Sequence, residues 1–250
     1  MASSVNQKPR RFSRSTLELF MNCPRCFYLA HRKNIKTPAG YPLTLNNAVD
    51  KLLKAEFDIH REAGTVHPML QQSGLTLIPF KNDHMTPWRQ NRKGIEYQRD
   101  EDHVFCGAVD DVWLNSHTRK LHVADYKATA RATPVTAFDP ETQPHHRAYA
   151  RQLEFYTWLL QKLHYDVDEE AYLVYATGDS TRDTFDSTLH FQTHVLTHRC
   201  ELAWIDPALE NMLACYYAPT PPEPGANCAT CRYVSAYLHA VAPTSSTDIP

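Results

Sequence analysis

Two apolar runs are broken by acids where buried strands would continue with Val or Ile: "CGAVDDVW", residues 106–113, and "HVADYKAT", residues 122–129. The second also carries Lys127 two places after Asp125. Residues two apart on a strand share a face, so Asp125 and Lys127 project together, with Tyr126 opposite. "NSHTRK", residues 115–120, reads as a hairpin loop between the runs. That pairing lets Asp110, at the end of the first run, approach Asp125. Two neighbouring carboxylates repel unless a cation sits between them. Mg²⁺ or Mn²⁺ suits such a place, being hard, oxygen-liganded and able to keep waters and a substrate phosphate in its shell. An ammonium beside the ion can stabilise charge building on a phosphorane-like oxygen; with its pKa lowered by the neighbouring cation, the lysine can also help orient or deprotonate the attacking water. The ion lowers the pKa of that water and neutralises the phosphate. The set is coherent for phosphodiester hydrolysis. The bland alternative is a surface ion pair, since D-x-K recurs by chance. Asp111 points away from Asp110 on a regular strand and stays outside the set.

A second constellation is made of cysteines. "NCPRC" supplies Cys23 and Cys26, and "NCATC" supplies Cys228 and Cys231, with 201 residues between the pairs. Disulfides are disfavoured in a reducing compartment, so the pairs point to four thiolates around one ion or cluster. Such a site would staple an N-terminal helix to the C-terminal tail. Closing so long a loop is tolerable because its entropic cost grows only logarithmically with length. Spacing does not separate tetrahedral Zn²⁺ from a [4Fe–4S] cluster. The bland alternative is four unrelated thiols. Cys106, Cys200 and Cys215 lie in or beside apolar segments and read as core residues.

These groups must be held by a frame. Ser13 or Ser15 can cap a helix from about Thr16, which Pro24 ends or breaks. Asn46 or Asn47 precedes "AVDKLLKAEFDIHREAG", with Val49, Leu52, Leu53 and Phe57 on one face and Gly64 as its end. Residues 65–92 are irregular. "GIEYQR", "HVFCGAVDDVWLN" and "KLHVADYKA" read as three strands, followed by a loop over 130–147. "AYARQLEFYTWLLQKLHY" is the clearest helix in the chain. "EAYLVYAT" and "TLHFQTHVL" read as strands, and "ELAWIDPALENMLACYY" as a helix interrupted by Pro207. A stiff linker, "APTPPEPGAN", leads to the second cysteine pair. His145 and His146 fall in the polar loop as surface residues. Arg147 and Arg151 are one turn apart and can meet phosphates. Trp88 with Arg89, Arg92 and Lys93 reads either as a stacking platform for a single strand or as a loop anchored by a buried Trp.

With 250 residues, 42% hydrophobic and 22% charged, the chain suits one domain with embellishments, or a domain plus a small lobe. Nothing approaches the apolar length of a membrane span, and the polar, basic start lacks the core of a secretory signal. The expectation is a cytoplasmic protein without a membrane partner. Net charge is only −2, yet residues 1–36 hold eight Lys or Arg against the single acid Glu18. A local basic patch can bind phosphates in a nearly neutral chain; a solvated tail explains it equally well.

"GAVDD…VADYKA…RQLEFYTWLL" resembles the PD-(D/E)XK nuclease superfamily in its RecB-type branch. The resemblance rests on G-x-x-D from Gly107 to Asp110, D-x-K from Asp125 to Lys127, and Q-x-x-x-Y from Gln152 to Tyr156. It implies that Asp110 and Asp125 hold the divalent ion, helped by the Tyr126 carbonyl, and that Lys127 acts on the water. Gln152 and Tyr156, on one helical face, would contact DNA or order Lys127. The branch also places a His or Glu ligand on an upstream helix. Here the matching position is Asp50, a departure, with Glu56 on the same helix in reserve. Many relatives in this branch, including CRISPR-associated exonucleases and helicase-nuclease subunits, carry a [4Fe–4S] cluster, with one Cys before the core and three after. This chain has two and two, which keeps structural Zn²⁺ as the alternative to the cluster.

The expected fold is α/β, with a restriction-endonuclease-like core. A mixed central sheet is flanked by helices, with an N-terminal helical segment and a Cys-bearing C-terminal tail. The expected boundaries are a disordered basic tail over 1–11, one nuclease domain over 12–235 and a disordered tail over 241–250. Within the domain, 12–65 is helical cover, 93–215 the core and 226–240 the Cys-bearing closure. The expected activity is Mg²⁺- or Mn²⁺-dependent DNA hydrolysis, at single-stranded or end substrates, in repair, recombination or defence. Any unwinding would fall to a helicase or another repair or defence partner. The competing readings are a non-catalytic binding module on a decayed nuclease fold, and a zinc-stapled protein whose acids are structural.

Overall fold

The computed structural model describes residues 8–242. In chain order, β1 (Arg10–Ser13) leads to helices α1 (Arg14–Asn22), α2 (Pro24–Arg32), α3 (Thr44–Ala63) and α4 (Pro68–Gln72). Then come β2 (Leu77–Pro79), α5 (Met85–Trp88), β3 (Ile95–Gln98), β4 (His103–Gly107), β5 (Asp111–Asn115) and β6 (Leu121–Arg131). Helix α6 (Pro144–Lys162), β7 (Glu170–Asp179), β8 (Phe191–Arg199), α7 (Ile205–Tyr217) and α8 (Ala229–Val241) complete the order. The chain divides into two compact units. One holds the described residues up to Arg14 together with Tyr41–Ile205; the other holds Ser15–Gly40 and the described residues from Asp206 on.

The first unit contains both sheets. Five strands run in the order β2-β5-β6-β7-β8, and three in the order β1-β4-β3. Both sheets are mixed: β6 and β7 are parallel, as are β1 and β4, and the remaining pairs are antiparallel. Helix α3 covers one face of the larger sheet. Its Leu53 and Phe57 are buried against Trp113, Ala124, Tyr126, Tyr172 and Val174. The Phe57 ring stacks on Trp113, with centroids 5.4 Å apart, and on His67 at 4.2 Å. Helix α6 packs against β3, β4, β6 and β7. The restriction-endonuclease-like α/β expectation therefore describes the architecture.

The differences are local and each has a physical cause. "HVFCGAVDDVWLN" is not one strand but two, β4 and β5, in different sheets. Between them the backbone bonds to a loop: the Val109 amide donates to the Trp88 carbonyl at 3.2 Å, and Arg89 Nε donates to the Asp110 carbonyl at 2.9 Å. The basic tail expected to be disordered through residue 11 is strand from Arg10, because the edge of β4 offers a parallel partner. The tail expected from residue 241 starts too early, since Val241 still belongs to α8; residues 1–7 and 243–250 of the two expected tails lie outside the described residues. Helix α3 starts at Thr44. Asn46 is inside it and donates to the Ala128 carbonyl at 2.5 Å instead of capping. Gly64, in the left-handed region at φ 65°, ends that helix. Helix α6 begins at Pro144, a residue pre-set for a first helical position. It therefore includes His145 and His146, and His146 is buried and accepts from the Asp139 amide at 3.0 Å. Pro207 sits in the first turn of α7, where no intrahelical N–H is needed, and interrupts nothing.

Phe57 is the anchor that fixes α3, and with it Asp50 and Lys54, over the sheet. Phe57→Ala should cost about 3–5 kcal/mol of unfolding free energy. Urea unfolding should show a lower midpoint at unchanged slope.

Candidate active site and four-cysteine centre

Register brings the acids together. Asp111 on β5 lies opposite Ala124 on β6, so one step outward sets Asp110 opposite Asp125. Tyr126 turns toward α3 in the core, while its neighbours Asp125 and Lys127 face α6. There Gln152 Nε2 donates to Asp125 Oδ1 at 2.7 Å, and its Oε1 accepts from Lys127 Nζ at 3.1 Å. The Tyr156 hydroxyl accepts from the same Gln152 amide at 3.3 Å. Gly107 makes room for this: a Cβ there would stand 2.5 Å from Tyr156 Cε1. Asp125 Oδ2 meets the Lys127 ammonium as an ion pair but accepts no aligned hydrogen bond. Asp110 Oδ2 accepts from the Tyr126 amide at 3.0 Å, and its Oδ1 accepts from Lys54 Nζ at 2.7 Å. Lys54 also donates to Asp50 Oδ2 at 2.8 Å. Asp50, Lys54, Asp110, Lys127 and Tyr149 line a cleft of about 590 Å³.

The charges are strongly coupled. Burial pushes the Asp125 carboxyl up to about 7; Lys127 opposes the shift and Asp110 adds to it. Burial also raises Asp110, but Lys54 and the Tyr126 amide outweigh it, and its pKa ends below the usual value. Asp50 is raised by burial and then by Asp110. Burial alone would lower Lys54, yet Asp110 and Asp50 hold it above its ordinary value. The Tyr156 phenol is pushed up to about 12, chiefly by burial, and stays neutral. An acid kept half-protonated near neutrality, with an oxygen lacking an aligned donor, fits a hard divalent ion.

A family model for the PD-(D/E)XK nuclease superfamily matches residues 43–236. The chain belongs to that superfamily. No curated protein matches it. Among solved structures, a protein described as "Putative exonuclease" from Eubacterium rectale is similar at 10% identity and TM-score 0.44, over 93% of each chain.

Asp111 does point away from Asp110, as expected, but the charged residues that receive it were not foreseen from the sequence. Asp111 is fully buried and held by Arg61 at 2.5 Å, by the Tyr126 hydroxyl at 2.8 Å and by Arg89 at 3.2 Å. Asp58 joins both arginines. Lys54 was legible only as the i+4 partner of Asp50 on one helix face. Glu56 is directed elsewhere, to His67 at 3.1 Å. Trp88 is buried, stacked on His84 and edge-on to Tyr165, so it anchors a loop and offers no stacking platform. Arg147 donates to the carbonyls of Pro140 and Glu141, holding the loop before α6. No helix among the described residues is long and apolar enough to cross a membrane.

In the second unit, Cys23, Cys26, Cys228 and Cys231 bring four Sγ atoms within 4.8 Å of one another, a group able to hold a metal. Cys23 caps α2 and Cys228 caps α8. Burial raises the Cys23 thiol, but the amides of Gly225 and Cys26 outweigh it and bring it down to about 7. Of the other three cysteines, Cys106 and Cys200 are buried and Cys215 is half-buried.

Two outcomes follow for the metal-free protein. The folded Asp125 pKa lies above the unfolded value of 3.8, so between about pH 4 and about pH 7 the folded state binds more protons. The Asp125 contribution to stability is therefore full below pH 4 and is lost as pH rises through 7. Melting in EDTA across that range should show this loss, and Asp125→Asn should flatten the slope by about one proton. Lys54→Met removes the cation that Asp50 and Asp110 share. It should lower the melting temperature in EDTA and tighten Mn²⁺ binding on the order of tenfold, read by calorimetry and by a larger Mn²⁺-induced rise in melting temperature.

Proposed function

We propose that the protein is a Mg²⁺- or Mn²⁺-dependent deoxyribonuclease acting at single-stranded DNA or free ends, with residues 12–235 as its nuclease region. One observation carries the reading: Asp110 and Lys127 line one cleft, and the buried Asp125 and Gln152 are bonded to Lys127. Asp110 and Asp125 would hold the ion, with Asp50 at the rim through Lys54. Bound there, the ion supplies a water of lowered pKa and neutral ground for the phosphate. Lys127 would orient that water or stabilise the developing charge, or, once neutral, accept its proton. Gln152 fixes Lys127 against Asp125, and Tyr156 fixes Gln152. Tyr149, beneath the Lys127 ammonium at 4.5 Å, adds an aromatic wall suited to an unstacked base. In the second unit the four thiolates hold a structural metal, either the [4Fe–4S] cluster that the resemblance implies or zinc. Strand separation, where the substrate needs it, falls to a helicase partner.

A second reading has one observation in its favour. Lys54 Nζ already sits between Asp50 and Asp110, as a resident cation would in a decayed, DNA-holding module.

Labelled single- and double-stranded DNA, with an RNA control, should be incubated with Mn²⁺ and the full chain. Cleavage of single strands or ends, lost roughly 10²–10⁴-fold in Lys127→Ala, is the expected result. DNA binding without cleavage by the wild-type chain sinks the enzyme reading in favour of the module.

A further inference from the structure

The four cysteine sulphurs lie closer together than a cluster allows. Cys26 Sγ is 3.5 Å from both Cys228 Sγ and Cys231 Sγ, and Cys23 Sγ is 3.7 Å from Cys231 Sγ. The widest separation in the group stays within 4.8 Å. Zn–S bonds of about 2.3 Å, directed to the corners of a tetrahedron, set thiolates about 3.8 Å apart. In a [4Fe–4S] cluster each thiolate binds a different iron, and the thiolates stand roughly 6 Å apart with the cube between them.

The surrounding backbone is bonded to the group at this spacing. Each pair is a tight knuckle at a helix start: the Cys26 amide donates to Cys23 Sγ at 3.4 Å, and the Cys231 amide donates to Cys228 Sγ at 3.5 Å. A third amide ties the pairs together, since Gly225 N–H donates to Cys23 Sγ at 3.2 Å. At Gly225 the two segments touch closely. A Cβ there would stand 2.2 Å from the Asn22 carbonyl oxygen and 3.1 Å from Cys23 Cα. Two further bonds hold the linker down, from Arg25 Nε to the Pro222 carbonyl at 2.8 Å and from the Tyr28 hydroxyl to the Pro219 carbonyl at 3.4 Å. Three N–H···S bonds also spread the negative charge of four thiolates on one divalent ion.

We propose that Cys23, Cys26, Cys228 and Cys231 hold one tetrahedral zinc ion, not the iron–sulfur cluster that the resemblance implies. With four protein ligands the ion has no open position and no redox chemistry; it is a structural staple between α2 and α8 of the second unit. The inference stands apart from the nuclease reading, because it concerns different residues and its test reads no cleavage.

The full chain should be expressed in iron-replete cells, purified anaerobically, and analysed for zinc, iron and acid-labile sulfide. The expected result is about one zinc per chain, no labile sulfide and a colourless protein. Asp125→Asn should carry the same zinc, which places the ion at the cysteines and not at the acids. Replacing zinc by Co²⁺ should give the intense visible bands of a tetrahedral tetrathiolate site. A brown protein with near-equal iron and labile sulfide overturns the proposal. So does a single iron in place of zinc.

Discussion

Asp110 and Asp111 are consecutive, yet they are committed to opposite environments, and the rest of the first unit depends on that division. Asp111 goes into the core, where Arg61, Arg89 and the Tyr126 hydroxyl neutralise it. Asp110 turns to the cleft, where Lys54 and the Tyr126 amide receive it. A buried charge is tolerable only when paired and hydrogen-bonded. The arginine cluster is therefore what permits a second acid directly beside the first. Tyr126 serves both, with its amide on one carboxylate and its hydroxyl on the other. Arg89 likewise spans the division, binding the Asp110 carbonyl and the Asp111 side chain. Loosening this cluster would disturb the direction of Asp110 without touching it.

The opposite acid is held by a different logic. Asp125 is fully buried on β6, flanked by Lys127 and Gln152, and has no arginine. Its pairing is less complete than that of Asp111, and burial pushes its carboxyl up to about 7. One core acid is saturated with partners and the other is left short. Only the short one retains capacity for an added cation, which is the feature the proposed hydrolysis requires. Gln152 is suited to its position because an amide donates to Asp125 and accepts from Lys127 at once, which neither a carboxylate nor an ammonium can do.

Much of the fold was legible because period-2 and period-3.6 patterns are strong in its central elements. Strand β6, with Asp125 and Lys127 on one face, and helix α6, with Gln152 and Tyr156 one turn apart, are read from residue spacing alone. The break between β4 and β5 was not legible. "CGAVDDVW" alternates like one strand, and the bonds that split it come from Trp88 and Arg89, some twenty residues upstream. Strand β1 was hidden for a related reason: "RRFS" has little strand character of its own and is ordered by the free edge of β4. The arginine cluster escaped as well, because Arg61 and Arg89 look like ordinary surface cations until Asp111 is seen buried between them. Local sequence encodes local periodicity; non-local pairing of charges is fixed only when the strands meet.

Lys54 deserves a physical account of its own, since it joins a helix acid to a strand acid. Asp50 and Asp110 each tolerate burial because the Lys54 ammonium lies within 2.8 Å of both. Without a counter-ion, α3 would be repelled from the strand end that its Phe57 is packed against. The lysine thus lets the apolar anchor and the acidic rim coexist on one helix. Its long, flexible stem also makes it displaceable, whereas the Arg61 guanidinium is bonded at once to Asp58, the Phe80 carbonyl and Asp111. The contrast between Lys54 beside Asp110 and the multiply bonded Arg61 beside Asp111 is what distinguishes the proposed metal ligand from a structural acid.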